Sequence, residues 1–242
     1  MKIVAGTDVG LMRDNNQDSY TACELAGGAV LAVVCDGMGG AAEGALASST
    51  AVKKIRERIV GSYHAGMSDL SVKSLLASTL ENANKDIYNL SLTDEKYEGM
   101  GTTVVAAILT DKFVYVAHAG DSRAYMITNG NLVQLTRDHS VVQSMLENGE
   151  ITADEAVNHP KKHIITRALG VDSEIKIDFC QEEFDDGEIL LLCTDGLTNF
   201  CKPEEILKLT GDDAYFEYAG RLVSAANRNG GGDNITVVAV MK

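Results

Sequence analysis

Seven short runs rich in Val, Ala, Ile and Leu recur along the chain, at residues 2–9, 28–35, 102–110, 112–119, 123–128, 188–194 and 234–240. Each has the length of a strand and is bounded by Gly, Asp or Asn, so each is read as one. Three of them lead directly into an aspartate: VVCDGMGG (33–40) at Asp36, VYVAHAGDSR (114–123) at Asp121 and ILLLCTDGL (189–197) at Asp195. A carboxylate at the end of a buried strand is costly unless a cation or hydrogen bonds hold it. Any fold for this chain must bury these runs and still give their acids a partner.

Helical periodicity fills the intervals. Residues 41–60 form one such stretch. In 70–91, Leu75, Leu76, Thr79, Leu80, Ala83, Ile87 and Leu90 share a face, and in 213–228 Tyr215, Tyr218, Ala219, Leu222, Val223 and Ala226 do the same. TDK (110–112) and TNGN (128–131) are short turns between strand-like runs, which points to antiparallel hairpins. Antiparallel sheets with long helices between them predict a layered sandwich rather than a doubly wound parallel sheet. The chain has 242 residues, only two prolines and no linker-like tract, so one domain over 1–242 is expected.

Residues 140–170 stand apart. Ser140 and Gln143 are spaced as a capping box that opens a short helix. ENGEITADEA then reads as a turn and a second short helix. NHPKKHIITRALG (158–170) is polar and carries His159, Lys161, Lys162, His163 and Arg167. Excursions of this length are often lids or substrate-contact segments.

Asp18 in RDNNQDS and Asp233 in GGGDNIT join Asp36, Asp121 and Asp195 as acids at element ends. Strand ends gather at one edge of a sandwich, so these carboxylates can converge. Close carboxylates repel and raise one another's pKa unless a cation holds them. An all-oxygen set suits Mg²⁺ or Mn²⁺ rather than zinc. Gly37 has no side chain, which lets its carbonyl approach a metal. Asp-Gly is also the favoured hairpin dipeptide, but neither Asp36-Gly37 nor Asp195-Gly196 lies between two strand patterns. No Lys follows the glycines before Asp233, as a P-loop would need.

The net charge of −14 argues against nonspecific binding to nucleic acid or to an anionic membrane. No segment approaches the ~18 apolar residues of a membrane span. The N-terminus, MKIVAGTDVG, lacks a signal-peptide core, so a cytoplasmic location is expected. The five cysteines are odd in number and lack C-x-x-C spacing, which predicts neither disulfides nor a zinc site.

Taken in order, GLMRDNNQDS (10–19), VVCDGMGG, GMGTTVVAAIL (99–109), VAHAGDSRAY (116–125), LTRDHS (135–140), HPKKHIITRALG, LLLCTDGL (191–197) and GGGDNITVV (230–238) resemble the motifs of the PPM (PP2C-like) family of metal-dependent protein serine/threonine phosphatases, in its bacterial branch. The resemblance covers essentially the whole chain. It implies an α+β fold, a four-layer αββα sandwich of two packed antiparallel sheets flanked by helix pairs. It also implies roles. Asp36 would bridge two Mn²⁺ or Mg²⁺ ions, with the Gly37 carbonyl on one of them. Asp195 and Asp233 would hold the other ion, and Asp18 would act through bound waters. Asp121, with Asp195, would form a third, weaker metal site. Arg13 would grip the substrate phosphate, Asn234 would orient the acid beside it, and Asn16 would act likewise. A water between the two ions would attack phosphorus.

Animal members carry a His after the Asp-Gly pair, suspected as the general acid. Met38 stands there in this chain, which leaves that acid unassigned. His139 is expected to be structural, His159 and His163 to lie in a flap, and Arg123 to support its loop. The implied partners are phosphoproteins, a Ser/Thr protein kinase and that kinase's targets, and the implied state is a monomer. Two other classes stay open: a phospho-dependent binding module without turnover, and a metal-dependent nuclease. The acidic charge and lack of basic stripes count against the second.

Overall fold

A computed structural model describes residues 1–157 and 159–242. Asn158, the first residue of the polar segment, lies outside the described residues. The chain opens with β1 (Lys2–Asp8), β2 (Asp18–Glu24) and β3 (Val30–Met38), followed by α1 (Ala41–Ser62) and α2 (Asp69–Ser91). Next come β4 (Gly101–Thr102), β5 (Val104–Leu109), β6 (Phe113–Ala119), β7 (Arg123–Thr128) and β8 (Asn131–Gln134). The excursion holds α3 (Val141–Glu147) and α4 (Ala153–Val157). The chain ends with β9 (Asp178–Glu183), β10 (Ile189–Cys193), α5 (Asp195–Thr198), α6 (Pro203–Leu209), α7 (Tyr218–Arg228) and β11 (Ile235–Met241).

The strands form two antiparallel sheets. One runs β1-β11-β10-β7-β8; the other runs β2-β3-β5-β6-β9, with β4 paired to the end of β3. Successive side chains of a strand point to opposite faces, and β3 uses both. Val30, Ala32 and Val34 pack on Leu190, Leu192, Val238 and Val240 of the other sheet. Leu31, Val33 and Cys35 pack on Ile55, Ile59, Leu76 and Leu80 of α1 and α2. The far face of the other sheet, with Leu191, Cys193 and Val237, is covered by Ile206, Leu222 and Ala226 of α6 and α7. The order is therefore helix, sheet, sheet, helix. Strands buried on both faces have no reason to alternate, which is why they read as unbroken apolar runs.

Some expectations are corrected. β2, β8 and β9 are strands that the apolar runs do not reveal. All three lie at sheet edges, and their sequences DSYTACE, NLVQ and DFCQEE are mixed because only part of an edge strand is buried. β3 does not stop before Asp36 but continues through it to Met38. Residues 213–217 are not α-helical; a 3₁₀ turn at Tyr215–Glu217 precedes α7. The capping box is half formed. Ser140 Oγ accepts the Gln143 N–H (3.1 Å), but the Gln143 amide donates to Glu147 Oε1 (2.8 Å) instead of reaching back.

The TNGN turn joins β7 and β8, with Asn129 at φ 50° and Gly130 at φ 74°. Positive φ at both central residues gives the twist that a tight hairpin needs. All five cysteines are free. No helix among the described residues is long and apolar enough to cross a membrane.

Candidate active site

Asp36 lies directly opposite Asp18 in the β2–β3 ladder. Two facing carboxylates on neighbouring strands are destabilising unless something separates their charge. The backbone of Asp36 is held from both sides. Its N–H donates to Thr103 Oγ1 (2.9 Å), and its carbonyl accepts from Thr103 N (2.8 Å) and Thr102 Oγ1 (2.9 Å). Thr103 falls in the break between β4 and β5, and its hydroxyl takes the place of a ladder partner. That hydroxyl also bonds Ser122 Oγ (2.7 Å) in the turn that carries Asp121.

Behind Asp18 stands a row of hydroxyls. Thr194 Oγ1 donates to Asp18 Oδ2 (2.9 Å) and accepts from Thr236 N (3.0 Å), while the Thr7 and Thr236 hydroxyls bond each other (2.8 Å). Asp195 begins α5, where Asn199 Nδ2 donates to its Oδ2 (2.9 Å). Asp233 precedes β11; its Oδ1 accepts the Asn234 N–H (2.9 Å), and its Oδ2 accepts from Arg13 Nη2 (2.9 Å).

These residues surround one cleft of about 680 Å³. Asp36, Gly37, Met38, Asp121, Asp195, Asp233 and Arg13 all line it. Asp18 is buried directly behind, opposite Asp36. Burial, opposed in part by its threonine hydrogen bonds and aided by Asp195 and Asp233, lifts Asp18 to about 7. Burial and the Asp195 and Asp138 charges likewise lift Asp121 to about 7. Asp36 is raised well above its ordinary value by burial and by Asp18, Asp195, Asp121 and Asp233. Asp195 is raised by burial and by Asp233. One buried oxygen of Asp18 (Oδ1) and one of Asp195 (Oδ1) have no hydrogen-bond partner. Buried polar atoms are rarely left so. A set of mutually repelling carboxylates with unpartnered oxygens has the chemistry of a cation site.

The match to known proteins is full-length. A model of the protein phosphatase 2C family fits residues 12–236. The serine/threonine phosphatase stp of Listeria monocytogenes is 39% identical over 237 residues, 97% of this chain and 93% of the relative. The chain belongs to the protein phosphatase 2C family. It is an enzyme of the phosphatase class. The serine/threonine phosphatase of S. agalactiae superimposes with a TM-score of 0.93 at 32% identity, over 100% of this chain and 99% of that one. The catalytic domain of the serine/threonine protein phosphatase PstP, solved with two manganese ions, superimposes with a TM-score of 0.85 at 32% identity, over 98% and 96% of the two chains.

In this phosphatase the residues around the acids are packed and hydrogen-bonded into place. Gly37 is needed for packing: a Cβ there would collide with the Gly44 carbonyl of α1 and lie 2.6 Å from the Gln17 carbonyl oxygen. Asn234 holds Asp233 through its backbone N–H, while its side chain spans the 9–17 segment. Its Nδ2 donates to the carbonyls of Val9 (2.8 Å) and Asn15 (3.0 Å), and its Oδ1 accepts from Gln17 N (2.8 Å). It thereby fixes the loop that presents Arg13. Asn16 accepts the Asp18 N–H (3.1 Å) and donates to Thr7 (2.9 Å). Arg123 is bound to Asp138 through Nε (2.9 Å) and Nη2 (2.6 Å). Thr7, Thr103, Thr194 and Thr236 support the acids without standing out in the sequence motifs. The signal for three of them is a hydroxyl within two residues of an apolar run's edge, in GTTVV, LLCTDG and DNITVV.

Ligand atoms of three potential metal-binding side chains come within 4.8 Å of one another at one place among the described residues, His118, His139 and Asp178. None of the three lines the cleft. His139 Nδ1 accepts the Gly120 N–H (3.1 Å), so Nε2 carries the proton and donates to Asp178 Oδ2 (3.1 Å). Arg167 sits 2.9 Å from Asp178 Oδ1 and fills the place of a cation. His118 stacks on His139 with centroids 4.7 Å apart. Burial lowers the pKa of both rings. The cluster ties β6 and β9 to the excursion's return limb, as expected of a structural His139.

Proposed function

We propose that residues 1–242 act as one catalytic domain, a metal-dependent phosphatase that hydrolyses phosphoserine and phosphothreonine in proteins. The observation that carries this reading is the cleft: acids from separate segments repel one another there, and two buried carboxylate oxygens nearby lack partners. Asp36 with the Gly37 carbonyl, Asp195 and Asp233 would hold two Mn²⁺ or Mg²⁺ ions, Asp18 through their waters, and Asp121 with Asp195 a third, weaker one. An oxygen-only set of this kind suits hard cations that keep part of their water. When bound, the ions supply a water of lowered pKa as nucleophile and neutralise charge on the phosphoryl group.

The chain's own residues bind and orient. Arg13 is half exposed at the cleft, and its planar guanidinium fork matches phosphate oxygens. Asn234 and the carbonyls it bonds keep that arginine's loop in place. Thr102 and Thr103 fix the backbone of Asp36. Met38 lines the cleft and has no ionisable proton to give, so no side chain at that position serves as the acid, and water is the preferred proton donor to the leaving Ser or Thr oxygen.

An enzyme that strips phosphate from Ser and Thr requires one that installs it, so its counterpart is a Ser/Thr protein kinase. Five free cysteines favour a reducing, cytoplasmic setting, and the default state is a monomer. The test is hydrolysis of a phosphothreonine peptide by wild type and Asp36→Asn, in chelator and then with Mn²⁺. Wild type should be silent in chelator and recover with Mn²⁺, and the variant should lose at least about a hundredfold. Wild type that stays inactive with Mn²⁺ favours a binding module; activity that survives chelation removes the carboxylates from the mechanism.

A further inference from the structure

The excursion divides its charge. Its first part holds Glu147, Glu150, Asp154 and Glu155, while residues 159–167 hold Lys161, Lys162 and Arg167 and no acid. Arg167 is occupied by Asp178. Lys161 and Lys162 form no ion pair among the described residues. Of these two lysines only Lys162 lines the cleft, beside His163 and Ile165.

The loop that carries it is fixed in place. Lys162 N donates to the His159 carbonyl (3.1 Å) and Ile164 N to the Lys161 carbonyl (3.1 Å), which makes a tight turn. The base of that turn is tied to the start of α3 by Val141 N to the Ile164 carbonyl (2.9 Å), and to the segment before α3 by Thr166 N to the His139 carbonyl (2.7 Å). An unpaired lysine on a fixed backbone thus lines an acid-lined cleft, on a chain of net charge −14. An unpaired cation so placed is complementary to an anion that the substrate brings.

We propose that Lys162 selects phosphorylated sites flanked by acidic residues, by pairing with a substrate carboxylate next to the phosphoresidue. This inference rests on the phosphatase reading of the same cleft. Arg13, from a separate segment, serves the phosphate; Lys162 reads its neighbour. Residues of an extended peptide are about 3.3 Å apart, so a lysine lining the cleft reaches a side chain within about two positions of the phosphoresidue.

The test compares kcat/KM, with Mn²⁺, for two phosphothreonine peptides that differ only in Glu or Lys at the flanking positions. Wild type should prefer the acidic peptide by about fivefold at low ionic strength, the scale of one exposed ion pair, and the preference should shrink with salt. Lys162→Glu should bring the ratio to one or below. Lys161→Glu changes the net charge equally, from −14 to −16 (−14 − 2), but lies outside the cleft lining and should keep most of the preference.

A wild-type ratio near one overturns the proposal. So does an equal effect of both substitutions, which would mean long-range charge alone. So does an equal loss on both peptides with Lys162→Glu, which would place Lys162 on the phosphate. Hydrolysis of neither peptide by wild type sinks the phosphatase reading and the selectivity with it.

Discussion

Metal-free protein should lose stability as pH rises, and Asp18 shows by how much. Its carboxyl is held at about 7 in the folded chain, against 3.8 when unperturbed. Between those values the folded state binds a proton that the unfolded state does not. Stability falls with pH wherever the folded state binds more protons. The loss therefore begins near pH 4 and is complete above pH 7. A gap of about three pH units, at about 1.4 kcal/mol each, costs about 4 kcal/mol for this group. In a chain of this length each kcal/mol moves Tm by roughly 2–4 °C, so the shift is of the order of 10 °C.

Asp18→Asn keeps an acceptor for Thr194 and removes the charge. Thermal melts in chelator at pH 5 and pH 8 should show wild type less stable at pH 8 and the variant with a smaller drop. Asp121, Asp36 and Asp195 account for the slope that remains, since the same burial and repulsion raise them. Mn²⁺ should restore wild type at pH 8 and do little at pH 5, because a cation and the protons compete for one set of oxygens. A metal-free Tm that rises from pH 5 to pH 8, or a variant slope equal to that of wild type, would refute the reasoning.

Two other substitutions test the frame around the acids. Gly37→Ala places a methyl against the Gly44 and Gln17 carbonyls, and backbone cannot yield as a side chain does; urea unfolding should show a loss of about 3 kcal/mol or more. Thr103→Val strips the acceptor from the Asp36 N–H and the partner from Ser122. It should cost about 2 kcal/mol and weaken Mn²⁺ binding measured by calorimetry, whereas unchanged binding would separate Thr103 from the site.

Much of this was legible in one dimension. Central strands such as 104–109 and 189–193 declared themselves because both their faces are buried and every position is apolar. The helix over 70–91 did so through its 3.6-residue period. Edge strands β2, β8 and β9 did not, because an edge faces solvent and its sequence is mixed. The Asp-Gly pairs and the ordered motifs marked Asp18, Asp36, Asp121, Asp195 and Asp233 and the family they belong to.

What the sequence could not decide was how those parts meet. That Asp18 faces Asp36 is a matter of register between β2 and β3, and register depends on which strands pair. That Gly37 also has no room for a side chain follows from α1, whose Gly44 carbonyl is packed against it, a contact set by helix packing. Asn234 reaches carbonyls more than two hundred residues away in sequence. Lys162 and Lys161 are adjacent, equal in charge and alike on paper, and only the tertiary structure brings one of them to the cleft lining. Local propensity and burial pattern are written residue by residue, but convergence of charge is a property of distances between segments, and those exist only once the two sheets have packed.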